Sequence, residues 1–195
     1  KTVSFKLPVT INASVELNPI QTRGANVVGL IQSGNRKYRN EYVVVGAHFD
    51  HLGMGGAGTG SRKPDTTGIH SGADDNASGT SGLLEIAHKL VSQKSRLKRS
   101  ILLLGFDAEE KGLLGAKYFV ENPLIDLQNI VTMINLDMIG RMKDSSITVG
   151  GVGTSPMFEP LLKRESIGRN FTINMTKPGY GPSDHAAFYT KDIPV

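Results

Sequence analysis

The sequence contains no cysteine. Disulfide staples and thiolate metal sites are therefore excluded, and any metal must be held by histidine and carboxylates. No apolar run approaches the roughly 20 residues of a membrane span. No initiator Met or signal-like segment precedes Lys1, so the chain reads as a cut piece of a longer protein. Charge of one sign is not in large excess: Lys plus Arg number 22, Asp plus Glu 18, and the formal net charge is +4. The densest basic run, Lys94, Arg96, Lys98 and Arg99, precedes an apolar segment and reads as a solvated helix end, which argues against a nucleic-acid-binding face.

What is present is an ordinary globular composition, with 38% hydrophobic and 21% charged residues in a chain of 195. At roughly 150 residues per domain this is one domain, 1–195. From Val3 to Leu17 every odd position is apolar, a period-2 pattern that predicts leading strands within 1–25, with Pro8 at an edge or break. Strands are also predicted over 26–31, 42–47, 100–106, 130–136, 146–149 and 171–175, and helices over 78–91, 111–121, 155–167 and 184–190. Residues 53–72 are Gly-, Ser- and Thr-rich without periodicity and form a long loop. The unbroken run Val43, Val44, Val45 is that of a strand covered on both faces. Strands alternating with helices predict an α/β fold, a three-layer αβα sandwich with a mostly parallel mixed central sheet. Ile193, Pro194 and Val195 read as the opening of a further strand, whose remainder and following loop lie outside this chain.

In such a sheet the ligand site lies beyond the carboxyl ends of the strands. Three strands run into polar residues there: His48-Phe49-Asp50, Asp107-Ala108-Glu109-Glu110 and Asp137. The segment Gly72-Ala73-Asp74-Asp75-Asn76-Ala77-Ser78-Gly79 lies between the first two in sequence. One crevice collects a His and at least four carboxylates, and no nearby Lys or Arg run offsets them. Converging carboxylates require raised pKa values or a cation. One imidazole with several carboxylates suits Zn²⁺ or another divalent transition ion, and a shared carboxylate fits two ions better than one. His88 reads as solvated, His51 and His70 as plain loop residues, and Met133, Met138 and Met142 as core filling.

These segments, with Gly46-Ala47 before His48, Lys111-Gly112-Leu113-Leu114-Gly115 after Glu110, Asn135-Leu136-Asp137-Met138-Ile139-Gly140, and Ser183-Asp184-His185, resemble in order the M28 family of metallo-aminopeptidases over about residues 26–195. The resemblance implies a phosphorylase/hydrolase-like αβα sandwich and a dizinc exopeptidase acting on peptides with a free N-terminus, in a secreted or periplasmic setting. By the same resemblance His48 and Asp137 bind one metal, Glu110 the other, and Asp75 bridges them. Glu109 is the general acid/base acting on a metal-bridging water, and Asp50 orients the His48 ring. Tyr180 and Ser183 meet the substrate, Tyr180 by polarising its carbonyl. The family's fifth ligand is not His185 but a His further downstream, so the second site is expected to be incomplete before Val195. Two alternatives stand beside this reading: a glutaminyl cyclase-like acyltransferase with one zinc, and a non-catalytic peptide-binding module. The Glu109-Glu110-Lys111-Gly112 string favours the peptidase.

Overall fold

The computed structural model describes residues 4–5, 8–10, 12–17 and 22–195. Four strands, β1 (Val27–Ile31), β2 (Tyr42–His48), β3 (Ser100–Phe106) and β4 (Ile130–Asn135), form one sheet in the order β1-β3-β2-β4. β2 runs parallel to both β3 and β4, and β1 alone is antiparallel, at the β3 edge. The mixed, mostly parallel sheet is the expected one. β5 (Ser146–Val149) and β6 (Thr172–Met175) pair in parallel as a separate two-stranded sheet.

Alternation along the strands builds two cores. Val44, Leu102, Leu104, Phe106 and Met133 face α2 (Leu114–Glu121) and α4 (His185–Tyr189), where Phe188 stacks on Phe119 and meets Phe106 edge-on. Val45, Ala47, Ile31 and Ile101 face α1 (Gly79–Ser92) through Leu83, Ile86 and Leu90. Adjacent residues Val44 and Val45 are 0% and 4% exposed on opposite faces, so β2 is covered twice, as its β-branched run requires. Helices on both sides of one sheet make the three layers.

Several expectations are corrected. Val3, Leu7 and Ile11 lie outside the described residues; the described part of 3–17 contains no strand, and Phe5, Val9, Val15 and Leu17 are exposed, with no sheet edge pairing them. The helix expected over 111–121 begins at Leu114, because Gly112 and Leu113 take left-handed φ values of 100° and 62° and break the turn that starts at Glu109. The helix expected over 155–167 is shorter, α3 (Phe158–Glu165). Ile193–Val195 is not a strand, although Met133 N donates to the Pro194 carbonyl at 2.9 Å beside β4. Met133 is core, but Met138 and Met142 are 55% and 57% exposed, since the chain leaves the sheet after Asn135 in an open loop.

Candidate metal centre

Because β2, β3 and β4 are mutually parallel, their carboxyl ends share one edge, and the chain brings its donors there. The last residue of β2 is His48, 1% exposed, and Thr80 Oγ1 donates to its carbonyl at 2.9 Å. The ring Nδ1 faces the Asp50 carbonyl at 3.1 Å and Asp50 Oδ1 at 3.5 Å. With its proton on Nδ1, the lone pair of Nε2 points into the crevice. There it lies 3.3 Å from Asp75 Oδ1, 3.5 Å from Asp137 Oδ1 and 4.0 Å from Glu109 Oε2.

After β3, Ala108 takes a left-handed φ of 56° and turns the chain so that both following amides meet Asp50. Glu109 N donates to Asp50 Oδ1 at 3.0 Å and Glu110 N to Oδ2 at 3.2 Å. One carboxylate thus fixes the end of β3 relative to the end of β2.

Asp75 enters from the segment Ala73–Ser78, where Asp75 and Asn76 depart from helical φ/ψ and the peptide bond between them is cis. Asn76, 2% exposed, clamps this segment to the end of β4. Its Nδ2 donates to the Leu136 carbonyl at 3.0 Å, and its Oδ1 accepts from Gly79 N at 3.0 Å and Met138 N at 3.2 Å. The three bonds bracket Asp137. A side chain at Gly79 would collide with Asn76 and the Leu136 carbonyl, so only glycine permits this approach.

Two carboxylates of the motifs serve other tasks. Asp74 Oδ1 accepts from Gly140 N at 2.8 Å, and Asp107 accepts from Ala25 N at 3.0 Å and Ala108 N at 2.8 Å. Among the described residues the remaining donors form two sets, His48 with Asp75 and Asp137, and His51 with Asp75 and Glu110. Asp75 belongs to both, and His185 to neither. His51, read from sequence as a loop residue, has its Nδ1 2.7 Å from Glu110 Oε1.

His48 Nε2, Asp137 Oδ1, His51 Nδ1 and Glu110 Oε1 are all buried and make no hydrogen bond among the described residues. Orphaned lone pairs converging from imidazole and carboxylate are what a divalent ion satisfies, so the donor chemistry fits zinc. The electrostatics agree. Burial pulls the His48 pKa down, but Asp137 and Asp50, with Glu109 beyond, override it and push it up to about 11: the crevice favours positive charge at this ring. Burial raises the Glu109 carboxyl to about 7, with Asp137, Glu110 and Asp50 adding to the rise against the opposing pull of His48. Burial also works on Asp137 and Asp50, but contacts with His48 and, respectively, the Ser183 hydroxyl and the two backbone amides hold both below the usual carboxylate range.

Ser183 is buried and accepts a hydrogen bond from Asn135 Nδ2 at 2.7 Å. Tyr180 is 67% exposed and packs edge-on against Tyr189. Asp184, which sequence reasoning passed over, is fully buried with both carboxylate oxygens unpartnered among the described residues, and its pKa is raised to about 8 by burial and then by Glu109. A cleft of about 250 Å³ beside Asp50 and His51 is lined by Phe49, Gly72, Asn76 and Thr80.

A family model described as peptidase family M28 matches residues 26–195. Aminopeptidase YwaD of Bacillus subtilis (strain 168) is 30% identical over 174 residues, covering 86% of this chain and 34% of that protein. Leupeptin-inactivating enzyme 1 of Streptomyces exfoliatus is 27% identical over 180 residues, covering 92% and 37%. The chain thus spans little more than a third of the length of these curated relatives. The crystal structure of a zinc aminopeptidase from Bacillus subtilis is similar with a TM-score of 0.64 at 30% identity, over 86% of this chain and 38% of that one. A glutaminyl cyclase from Porphyromonas gingivalis shares the fold, with a TM-score of 0.66 at 23% identity over 87% and 60%.

Proposed function

The chain belongs to peptidase family M28, and from that premise we propose that it is the catalytic portion of a zinc aminopeptidase removing N-terminal residues from peptides. The observation that carries the reading is the pair of three-donor sets sharing Asp75 at the carboxyl edge of the sheet. His48, Asp137 and Asp75 would hold one zinc, and Glu110 with Asp75 would hold a second. Zinc held there would supply Lewis acidity able to polarise a scissile carbonyl and to lower the pKa of water toward neutral pH.

The protein groups then move the proton. Glu109 Oε2 faces the same crevice as His48 Nε2 and belongs to neither donor set, so it is free to act as general base. It takes the proton of the attacking water as the new C–O bond forms and returns it to the leaving amine as the C–N bond breaks, releasing an amino acid and the shortened peptide. Asp50 fixes the His48 ring through Nδ1 and the Glu109 backbone through its amide, so ligand and base keep one relative position. Ser183, beside Asp137 and bonded to Asn135, supports the first donor set. An excess of carboxylates also suits a substrate carrying a free α-ammonium group.

The glutaminyl cyclase reading uses a single zinc; two donor sets and the 30%-identical aminopeptidase relatives favour the peptidase. The test is hydrolysis of aminoacyl-anilides and of short peptides by the zinc-loaded chain, with N-terminally acetylated peptides as controls. Release of the N-terminal residue only from free-amine substrates, abolished by chelation and restored by zinc, is the expected result. Cyclisation of N-terminal glutamine without hydrolysis would sink the reading.

A further inference from the structure

We infer that the amino edge of the sheet, at the pole opposite the metal centre, is a docking surface for the anionic headgroups of a phospholipid membrane, on which the chain sits with its crevice turned away from the lipid. The inference goes beyond the proposed function and does not depend on the reaction. Taken alone, the basic run at Lys94–Arg99 reads as a solvated helix end. The fold joins it to a second basic segment that is remote in sequence.

β1 ends at this edge, and β2 and β3 begin there. The loop between β1 and β2 supplies Arg36, Lys37 and Arg39, and the connection from α1 to β3 supplies Lys94, Arg96 and Lys98. All six are exposed, and among the described residues none of them pairs with a carboxylate. Two buried serines rivet the segments together. Ser33 Oγ donates to the Leu97 carbonyl at 2.5 Å, Ser33 N donates to Ser100 Oγ at 3.0 Å, and Ser100 Oγ donates to the Arg39 carbonyl at 2.6 Å. Arg99, paired with Glu41 at 2.6 Å, also lies 5.3 Å from the centre of the Tyr38 ring, and Lys37 Nζ lies 4.9 Å from it. Lys94 and Arg96, in the turn after α1, complement that helix's C-terminal dipole. Arg36, Lys37 and Arg39 follow no helix, so the dipole does not explain why they gather here.

With Arg99 the edge carries seven cations against the single carboxylate of Glu41, a local net charge of +6, whereas the whole chain carries +4. The remainder of the molecule is therefore net negative, and its carboxylates converge at the other end of β2, about 20 Å away at about 3.3 Å per residue. An anionic surface attracts one pole and repels the other, which selects a single orientation. The shape of the patch favours lipid over nucleic acid. Its free cations stand on a loop and a connection with one short helical turn, with no helix face or strand ribbon to enter a groove, and the Tyr38 ring is engaged by its own cations rather than free to stack on a base. A layer of phosphate headgroups requires neither, only clustered Lys and Arg at its surface.

The experiment is co-sedimentation of the zinc-loaded chain with vesicles of equal parts phosphatidylglycerol and phosphatidylcholine, against vesicles of phosphatidylcholine alone, over a series of salt concentrations. Binding to the anionic vesicles only, weakening as salt rises, is expected. Replacing Arg36, Lys37 and Arg39 together by Gln should weaken that binding at least about tenfold, and replacing Lys94, Arg96 and Lys98 together by Gln should do the same. A control triple of equal charge change, Lys163→Gln with Arg164→Gln and Arg169→Gln in and after α3, should bind like the wild type. Unchanged urea midpoints identify the triples that fold normally, and the two patch triples lie on separate segments, so either one tests the surface. Equal binding to both vesicle types would overturn the inference. So would a control triple that weakens binding as much as the patch triples, since net charge alone would then suffice. Complete displacement from the vesicles by short duplex DNA at equal phosphate concentration would assign the patch to nucleic acid instead.

Discussion

Asp50 accepts the backbone N–H of Glu109 at 3.0 Å, and with its other oxygen that of Glu110 at 3.2 Å. The same carboxylate lies 3.5 Å from His48 Nδ1. A side chain following β2 therefore sets the position of two residues following β3 and the orientation of the imidazole between them. Charge matters in this arrangement, because a carboxylate can accept from all three donors whereas an amide must present an N–H to one of them.

Asp50→Asn is thus expected to lower both zinc retention and kcat/KM by about 10- to 100-fold, the range for groups that orient metal ligands. Zinc content by elemental analysis and steady-state kinetics at saturating zinc check this. A variant with wild-type zinc affinity and rate would remove Asp50 from the positioning role.

Glu109→Gln should behave differently. Glu109 belongs to neither donor set, so zinc content should stay at the wild-type value while kcat falls by about 10²-fold or more, the scale of general acid/base catalysis. KM for an aminoacyl-anilide should change little. Loss of metal together with rate would place Glu109 among the ligands instead.

The framework of this site was legible in the sequence because the sheet's parallel strands end in it. Val43–Val45 announced a strand buried on both faces, and polar residues placed directly after such strands have few structural explanations. Composition did not separate neighbours. Asp74 and Asp75 look alike on paper, yet Asp74 caps Gly140 while Asp75 faces His48, because φ/ψ at Asp75 and Asn76 leave the helical region within a segment that reads as a helix start. His51 was hidden for a related reason: its neighbours Gly72 and Asp75 lie twenty-one and twenty-four residues later in sequence. Asp184 was hidden by its motif, which drew attention to His185, although the carboxyl is the group that is fully buried.

Asp75→Ala should reduce both zinc equivalents, since both donor sets include Asp75, whereas Glu110→Ala should chiefly empty one. Calorimetric titration distinguishes the two patterns. Loss of the same single equivalent in both variants would contradict the shared carboxylate.

Asn76→Ala removes one donor and one doubly used acceptor from a buried clamp, leaving the Leu136 carbonyl and the amides of Gly79 and Met138 without these partners. A destabilisation of about 2–4 kcal/mol is expected in urea denaturation, since each uncompensated buried polar group costs roughly 1–3 kcal/mol and the losses are not additive. A change below about 0.5 kcal/mol, the level of ordinary surface substitutions, would mean that water replaces the clamp.

Asp184 makes the metal-free protein sensitive to pH. Burial, reinforced by Glu109, raises its carboxyl from the ordinary 3.8 to about 8, and neither oxygen has a hydrogen-bonding partner among the described residues. The folded state therefore holds a proton on this group that the unfolded chain has released. Because the folded pKa is the higher one, the stabilising contribution is complete below the ordinary carboxylate range and disappears as pH rises toward about 8. Over that interval the slope from a single fully differential proton is about 1.4 kcal/mol per pH unit, a ceiling rather than the expected mean. Asp184→Asn keeps the shape and removes the ionisation. In chelator-treated protein, urea denaturation at pH 5 and pH 8 should show the variant gaining stability relative to wild type at the higher pH, by an amount on the order of a few kcal/mol. Bound zinc should shrink the difference, because a cation in the crevice favours the ionised carboxylate. Equal stability differences at both pH values in the metal-free protein would mean that Asp184 is already ionised in the folded state at pH 5.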